Sequence, residues 1–284
     1  MGIISAQQLR TIVQLEDVVI ADARGGSDAL ERYKMAHLPG ALFVDLETEL
    51  SAKSENAADG GRHPLPSPEK FGETLSAKGI TSASTVVIYD DKNGANAAAR
   101  FWWMLKAAGH EKVFVVNGGF SALLDAGFEM TSDIPVIQPF PNGYLIEAWK
   151  LPIVKLDDVA RAADDKDYLV IDVRENYRYI GQSEPIDLIA GHIPGAVNIP
   201  YTSNLNEKGE FLSSSELADK YNQIGGERKL IVHCGSGVTA CHTLLALSEA
   251  GIPQASLYVG SWSEWSRNDK AIETGDDDQA KIIM

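Results

Sequence analysis

"YLVIDVR" (Tyr168–Arg174) followed by "GHIPGAVNIP" (Gly191–Pro200) decides how this chain is read, because both segments occur earlier in altered form. The first half carries "VVIADAR" (Val18–Arg24) and then "HLPGALFVDL" (His37–Leu46). Further along, "STVVIYDD" with "AAGHEKVFVVNGGFSAL" is echoed by "RKLIVHCG" with "EAGIPQASLYVGSWSEW". Four matched segments in the same order mark an internal duplication, and a repeat of this kind governs every inference about architecture.

Each half alternates strands with helices. Short β-branched runs at Val18–Ala21, Val86–Tyr89, Val113–Val116, Leu169–Asp172 and Leu230–His233 predict buried strands. Helical stretches are expected at Ala97–Ala108 and Thr239–Ala250, with Gly109 and Gly251 where a C-terminal cap belongs. This alternation predicts an α/β protein with a mostly parallel sheet flanked by helices, once per half. The Pro-containing stretch Ile134–Tyr144 is the expected linker. The expected division is therefore a first domain at 1–135, a linker at 136–150 and a second domain at 151–284.

With 284 residues, 44% of them hydrophobic, the chain has enough apolar material for two ordinary cores. No apolar run approaches the roughly 20 residues that span a bilayer, so no membrane partner is expected. The N-terminus lacks a basic flank before an apolar core, and two cysteines do not make a disulfide framework; both point to a cytoplasmic setting. A net charge of -15 argues against nucleic acid, which selects clustered Lys and Arg. It also means that an anionic substrate needs local arginines to overcome the global field.

Aligning "VVIYD" with "LIVHC" sets Asp90 opposite Cys234, and the loop after Asp90 is about two residues longer. A thiol present in one copy only suggests that one copy works and the other supports it. A strand ending at Cys234, a tight loop and a helix starting near Val238 or Thr239 place the sulfur at a helix N-terminus, where unpaired N–H groups converge. Gly235 and Gly237 permit an anion-binding nest, which favours thiolate over thiol and stabilises a persulfide equally.

Other readings of the same stretch compete. Cys234 as inert core packing is the default for a lone cysteine, but the glycine pattern opposes it. A metal site made of His233, Cys234, Cys241 and His242 lacks zinc-like spacing, so no metal or other cofactor is expected. Cys241 is most simply a helix packing residue, with a redox partnership to Cys234 left open. A cysteine phosphatase needs an arginine at the sixth position after the nucleophile, and that position is Ala240.

With these residues in view, the chain resembles a two-domain sulfurtransferase of the rhodanese superfamily over essentially its full length. "CGSGVTA" (Cys234–Ala240) resembles the mercaptopyruvate sulfurtransferase loop, and "GHIPGA" and "GSWSEW" also match. Thiosulfate sulfurtransferases typically place basic residues where Gly235 and Ser236 stand. The resemblance implies two tandem rhodanese-like domains with the active cysteine in the second. It implies covalent catalysis in which Cys234 takes sulfur from 3-mercaptopyruvate, or alternatively thiosulfate, as a persulfide. The sulfur then passes to cyanide, a thiol or a reduced thioredoxin-like protein. A non-catalytic persulfide carrier is the reading from another class.

The resemblance also implies supporting residues. Arginines matching Arg174 and Arg178 lie near the anionic donor; Arg174 has a counterpart in Arg24, whereas Arg178 faces Asp28 and is the stronger expectation. His63 and Glu47 match first-domain positions facing the cleft, and with Ser236 they are expected to relay a proton to the departing enolate. Ser236 is expected to act through its hydroxyl and Thr239 to cap the helix. Gly235, Ser236, Gly237, Val238 and Thr239 supply the loop backbone. His37 and His192 recur in both halves and are expected to be scaffold. Trp262 and Trp265 are expected to pack.

Overall fold

The computed structural model describes residues 2–52, 54–95 and 97–275. These residues form two compact units. One takes in the described residues up to Ala52, together with Leu65–Lys150 and Lys208–Glu210; the other takes in those of Lys53–Pro64, Leu151–Glu207 and Phe211–Met284. This departs from the expected division, because 54–64 groups with the second unit and 208–210 with the first. The expected linker is also not a free tether. Phe140 and Tyr144 donate backbone N–H bonds to Ser76, Lys150 donates to Ala107 O, and Trp149 packs against Phe71 and Trp103. Its backbone polar groups find partners on the first unit, which ties the segment there.

The first unit's strands are β1 (Ile3–Ile4), β2 (Val18–Asp22), β3 (Leu42–Phe43), β4 (Thr85–Tyr89) and β5 (Val113–Val116), in the order β1-β5-β4-β2-β3. The second unit repeats this with β6 (Ile153–Val154), β7 (Tyr168–Asp172), β8 (Val197–Asn198), β9 (Lys229–His233) and β10 (Ser256–Tyr258), ordered β6-β10-β9-β7-β8. Every pairing in both sheets is parallel. The central strands are buried throughout in β4 and from the second residue on in β7 and β9, so they are runs of Val and Ile rather than alternating patterns. The two-residue edge strands are too short to leave a periodic signature.

Each unit has its own core. In the first, Leu9, Val87, Tyr89, Val116 and Leu123 interlock; in the second, Val159, Val170, Tyr179, Ile193, Ile231, Tyr258 and Trp262 do the same. Fully burying each such side chain contributes about 1.5–3 kcal/mol, so each core outweighs any single polar contact described below. The helices expected at Ala97–Ala108 and Thr239–Ala250 occupy Ala97–Ala107 and Ala240–Glu249, and both end on glycines of positive φ.

Register decides what meets at the carboxyl end of the second sheet. Asp172 pairs with His233 across β7 and β9, so the residue after β9, Cys234, emerges beside the residues after β7. In parallel α/β sheets this is the end at which ligands bind.

Candidate active site

Cys234 follows β9 directly and the helix begins at Ala240, leaving 234–239 as the connecting loop. The loop is clamped from one side. Trp262 N–H donates to Cys234 O at 3.0 Å, Ser263 N–H to Gly235 O at 2.8 Å, and Cys234 N–H to Ser261 Oγ at 3.2 Å. With the carbonyls held that way, the N–H groups of Gly235, Ser236 and Val238 meet no acceptor among the described residues. Unpaired donors at a helix N-terminus are a built anion cradle. Cys234 is only 4% exposed, so little bulk water reaches it.

The two loop glycines serve different needs. Gly237 has φ +76°, and a Cβ there would collide with Val259 O, so both backbone and space demand glycine. Gly235 does not adopt a positive φ. Its Cβ position instead lies 3.2 Å from Arg62 Nη2 and 3.4 Å from Arg178 Nη2. Glycine at 235 therefore leaves room for two guanidiniums, which corrects the expectation of a shared conformational role. Thr239 is corrected too: it holds the N-cap position in helical conformation, and its side chain makes no cap hydrogen bond.

The two expected arginines separate clearly. Arg174 donates to Asp172 through Nε and Nη2, to Gly191 O at 2.7 Å and to Glu184 at 3.1 Å, with its guanidinium over the Trp262 ring. Arg24 makes the same fork with Asp22, donates to Ala36 O and lies over Phe120. Arg174 thus holds the same scaffold corner in the second unit that Arg24 holds in the first. Arg178 lies at the loop. Burial opposes its charge, but Glu184, Glu175 and Asp187 outweigh that and raise its pKa above the ordinary arginine value. Burial likewise pushes the Glu184 carboxyl up, and Arg178 together with local N–H donors brings it below the usual range.

His63, expected from the first half of the chain, stands on the segment 54–64, which packs with the second unit. That strap is fastened by Gly60 N–H to Glu264 at 2.9 Å, Arg62 N–H to Ser263 Oγ at 3.1 Å, and Asn268 Nδ2 to Ala58 O at 2.8 Å. It delivers His63 to the loop, where Nδ1 and Ser236 Oγ share a 2.7 Å hydrogen bond. The strap also brings Arg62, which sequence reading missed although it stands beside His63. Glu47 lies exposed on the turn after β3 and belongs to the first unit.

The remaining singled-out residues are structural. His37 stacks on Tyr33 at 4.0 Å and His192 on Tyr179 at 3.7 Å, each ring bonded to that tyrosine's carbonyl. Trp262 is fully buried and donates to Ile189 O; Trp265 donates to Ala271 O. Cys241 is buried with Sγ 3.4 Å from Gly237 O. His242 stacks on Phe211, while burial lowers the His233 pKa despite the nearby Asp172 carboxylate.

The equivalent loop of the first unit explains why only one copy is equipped. Phe120 N–H donates to Asp90 O at 2.8 Å, as Trp262 does to Cys234 O, so Asp90 and Cys234 are structural equivalents. The Asp90 carboxylate turns into its own loop and accepts from the N–H groups of Lys92, Gly94 and Ala98 at 2.9, 2.8 and 3.4 Å. That cradle is filled by a built-in anion. Its helix starts eight residues after β4, against seven after β9, so the loop is one residue longer rather than two.

Comparison with known proteins settles the family. The Rhodanese-like domain family matches residues 5–126 and again 155–268. The chain belongs to the rhodanese family. As such it is a sulfurtransferase, and its relatives carry both donor names. It is 37% identical over 283 residues to the "Probable 3-mercaptopyruvate sulfurtransferase" of Pseudomonas aeruginosa, covering 96% of this chain and 98% of that one. It is 35% identical to the thiosulfate sulfurtransferase of Rattus norvegicus, covering 86% and 82%. Among solved structures, the 3-mercaptopyruvate sulfurtransferase of Leishmania major superposes with a TM-score of 0.79 at 30% identity, covering 94% of this chain and 74% of that one. No helix among the described residues of this rhodanese is long and apolar enough to cross a membrane.

Proposed function

We propose that this rhodanese moves a sulfane sulfur from 3-mercaptopyruvate to a thiol or cyanide acceptor through a persulfide on Cys234. The thiolate attacks the donor sulfur, the carbon–sulfur bond breaks, and its electron pair leaves as the enolate of pyruvate. Protonation of that enolate gives pyruvate. An acceptor thiolate or cyanide then attacks the outer sulfur and returns Cys234 to the thiolate. The unpaired N–H groups of Gly235, Ser236 and Val238 stabilise the negative charge on the sulfur in each step. Arg178 and Arg62, both beside Gly235, meet the donor carboxylate.

The observation that carries the choice of donor is the 2.7 Å His63–Ser236 hydrogen bond on the active loop. A departing enolate needs a proton, whereas thiosulfate leaves sulfite, which needs none. A hydroxyl backed by an imidazole suits the first leaving group. Glu47 is proposed to complete this relay, and a reduced thioredoxin-like protein is proposed as the macromolecular acceptor.

The test is kcat/KM for 3-mercaptopyruvate and thiosulfate side by side on wild-type protein and on Cys234→Ser. The proposal expects a preference for mercaptopyruvate and no transfer by the variant, with an unchanged melting curve. The relative from rat supports the alternative, and a clear thiosulfate preference would establish it. A chain that loads sulfur once and stalls with every acceptor is a carrier.

A further inference from the structure

One carboxylate outside this chemistry gathers an unusual share of the nearby charge. The Asp187 side chain is fully buried and meets three guanidiniums from three separate segments. Arg62 of the strap donates from Nε to Oδ1 at 3.1 Å and from Nη2 to Oδ2 at 3.4 Å. Arg267, just after the helix Ser261–Trp265, donates from Nη1 to Oδ1 at 3.1 Å. Arg178, on the short helix Asn176–Tyr179, brings Nη2 to 3.5 Å from Oδ2. Arg62 and Arg267 pair with no other carboxylate among the described residues, so one buried acid holds two arginines and touches a third.

The local sequence inverts ordinary patterning to achieve this. Ile186 is 55% exposed and Leu188 69% exposed, while the aspartate between them is inside. Burying a charge and exposing the aliphatics on either side is costly unless the charge does something a hydrophobe cannot. Its place shows what that is. Asp187 Oδ2 lies 3.6 Å from the Gly235 Cβ position, alongside Arg62 Nη2 and Arg178 Nη2, one residue from the nucleophile. A long arginine left loose loses its rotamer freedom when an anion arrives; one already pinned does not.

We propose that Asp187 is a positioning residue that fixes the guanidiniums of Arg62 and Arg178 beside Gly235, so that the donor's anionic group is met in one orientation. Arg267 holds the same carboxylate. The inference rests on the reading of Cys234 as the nucleophile, and it assigns to Asp187 no contact with the donor.

Asp187→Asn keeps the shape and removes the charge, and the two roles of that charge predict opposite signs. If Asp187 only damps the local positive potential, kcat/KM for anionic donors rises in the variant. Positioning predicts a fall of about tenfold, carried by KM, with kcat within about twofold. Arg62→Ala falls similarly, and the double variant falls by less than the product of the two single losses, because part of each loss runs through the shared Asp187–Arg62 contact. Should Asp187→Asn fail to fold, Arg267→Met is measured instead and raises KM about threefold at unchanged kcat. An unchanged or raised kcat/KM in Asp187→Asn, independent losses in the double variant, or an unchanged KM in Arg267→Met overturns the inference and leaves the persulfide reading standing. A wild-type chain that loads no sulfur on Cys234 overturns both.

Discussion

Ser236→Ala removes one oxygen from the active loop and tests what that oxygen does. The hydroxyl shares a 2.7 Å hydrogen bond with His63, and at 7% exposure little water is available to replace it. Cys234, the N–H cradle and the guanidiniums at Gly235 all remain, so sulfur binding and attack survive. What is lost is a positioned proton for the enolate, an effect that contributes about 10²–10⁴-fold in general acid catalysis. Thiosulfate releases sulfite without a proton, so its turnover is expected to change by less than about fivefold, against at least about a hundredfold for mercaptopyruvate. The assay is steady-state kinetics with both donors and one saturating acceptor, and His63→Asn is expected to show the same pattern. Equal losses with the two donors, or none with either, would refute the proton-relay reasoning.

Arg178→Ala is expected to raise KM for mercaptopyruvate by about tenfold or more, the worth of a charge-assisted contact. It also leaves buried Glu184 with Arg174 as its remaining cation, which costs about 2 kcal/mol of stability measured by denaturant unfolding; unchanged KM would remove Arg178 from the site. Asp90→Ala strips the acceptor from three backbone N–H groups and is expected to destabilise the first unit by about 3 kcal/mol, whereas Cys234→Ser leaves the melting temperature within about 2 °C. Equal melting curves for Asp90→Ala and wild type would contradict the filled cradle. His233 is held below its usual pKa of 6.5 by burial, so the unfolded state binds a proton that the folded state does not as pH falls through that value. Its stabilising contribution is present above 6.5 and is lost below it at up to about 1.4 kcal/mol per pH unit. Denaturant unfolding at pH 7.0 and 5.5 checks this, and a stability independent of pH over that window would contradict it.

The duplication made most of the fold legible, because local patterns carried it. Strands such as β4 and β9 are continuous β-branched runs, and the Arg24 and Arg174 equivalence correctly marked a shared corner. The edge strands were missed because two residues have no period. The site was legible in the loop residues themselves and, through the family resemblance, in Arg178 and His63, which the structure brings to that loop. Arg62, Asp187 and Arg267 meet across separations of 125 and 80 residues, which no local pattern reports. A signal was nevertheless present. Arg24 to His37 spans 13 positions, while the matching Arg174 to His192 spans 18, and the extra length includes "SEPID" with Glu184 and Asp187. An insertion confined to the working copy points to its site. The placement of 54–64 with the second unit lay beyond sequence reading, because its fastening depends on Glu264, Ser263 and Asn268 some 200 residues away.

The sulfur is expected to pass through Cys234. Incubating the chain with 3-mercaptopyruvate and no acceptor, then mapping its peptides by mass spectrometry, tests this directly. The expected result is one added sulfur atom on the Cys234 peptide with one pyruvate released per chain, and loss of that sulfur on adding a thiol. Sulfur located on Cys241, or pyruvate released with no sulfur on either cysteine, would contradict it.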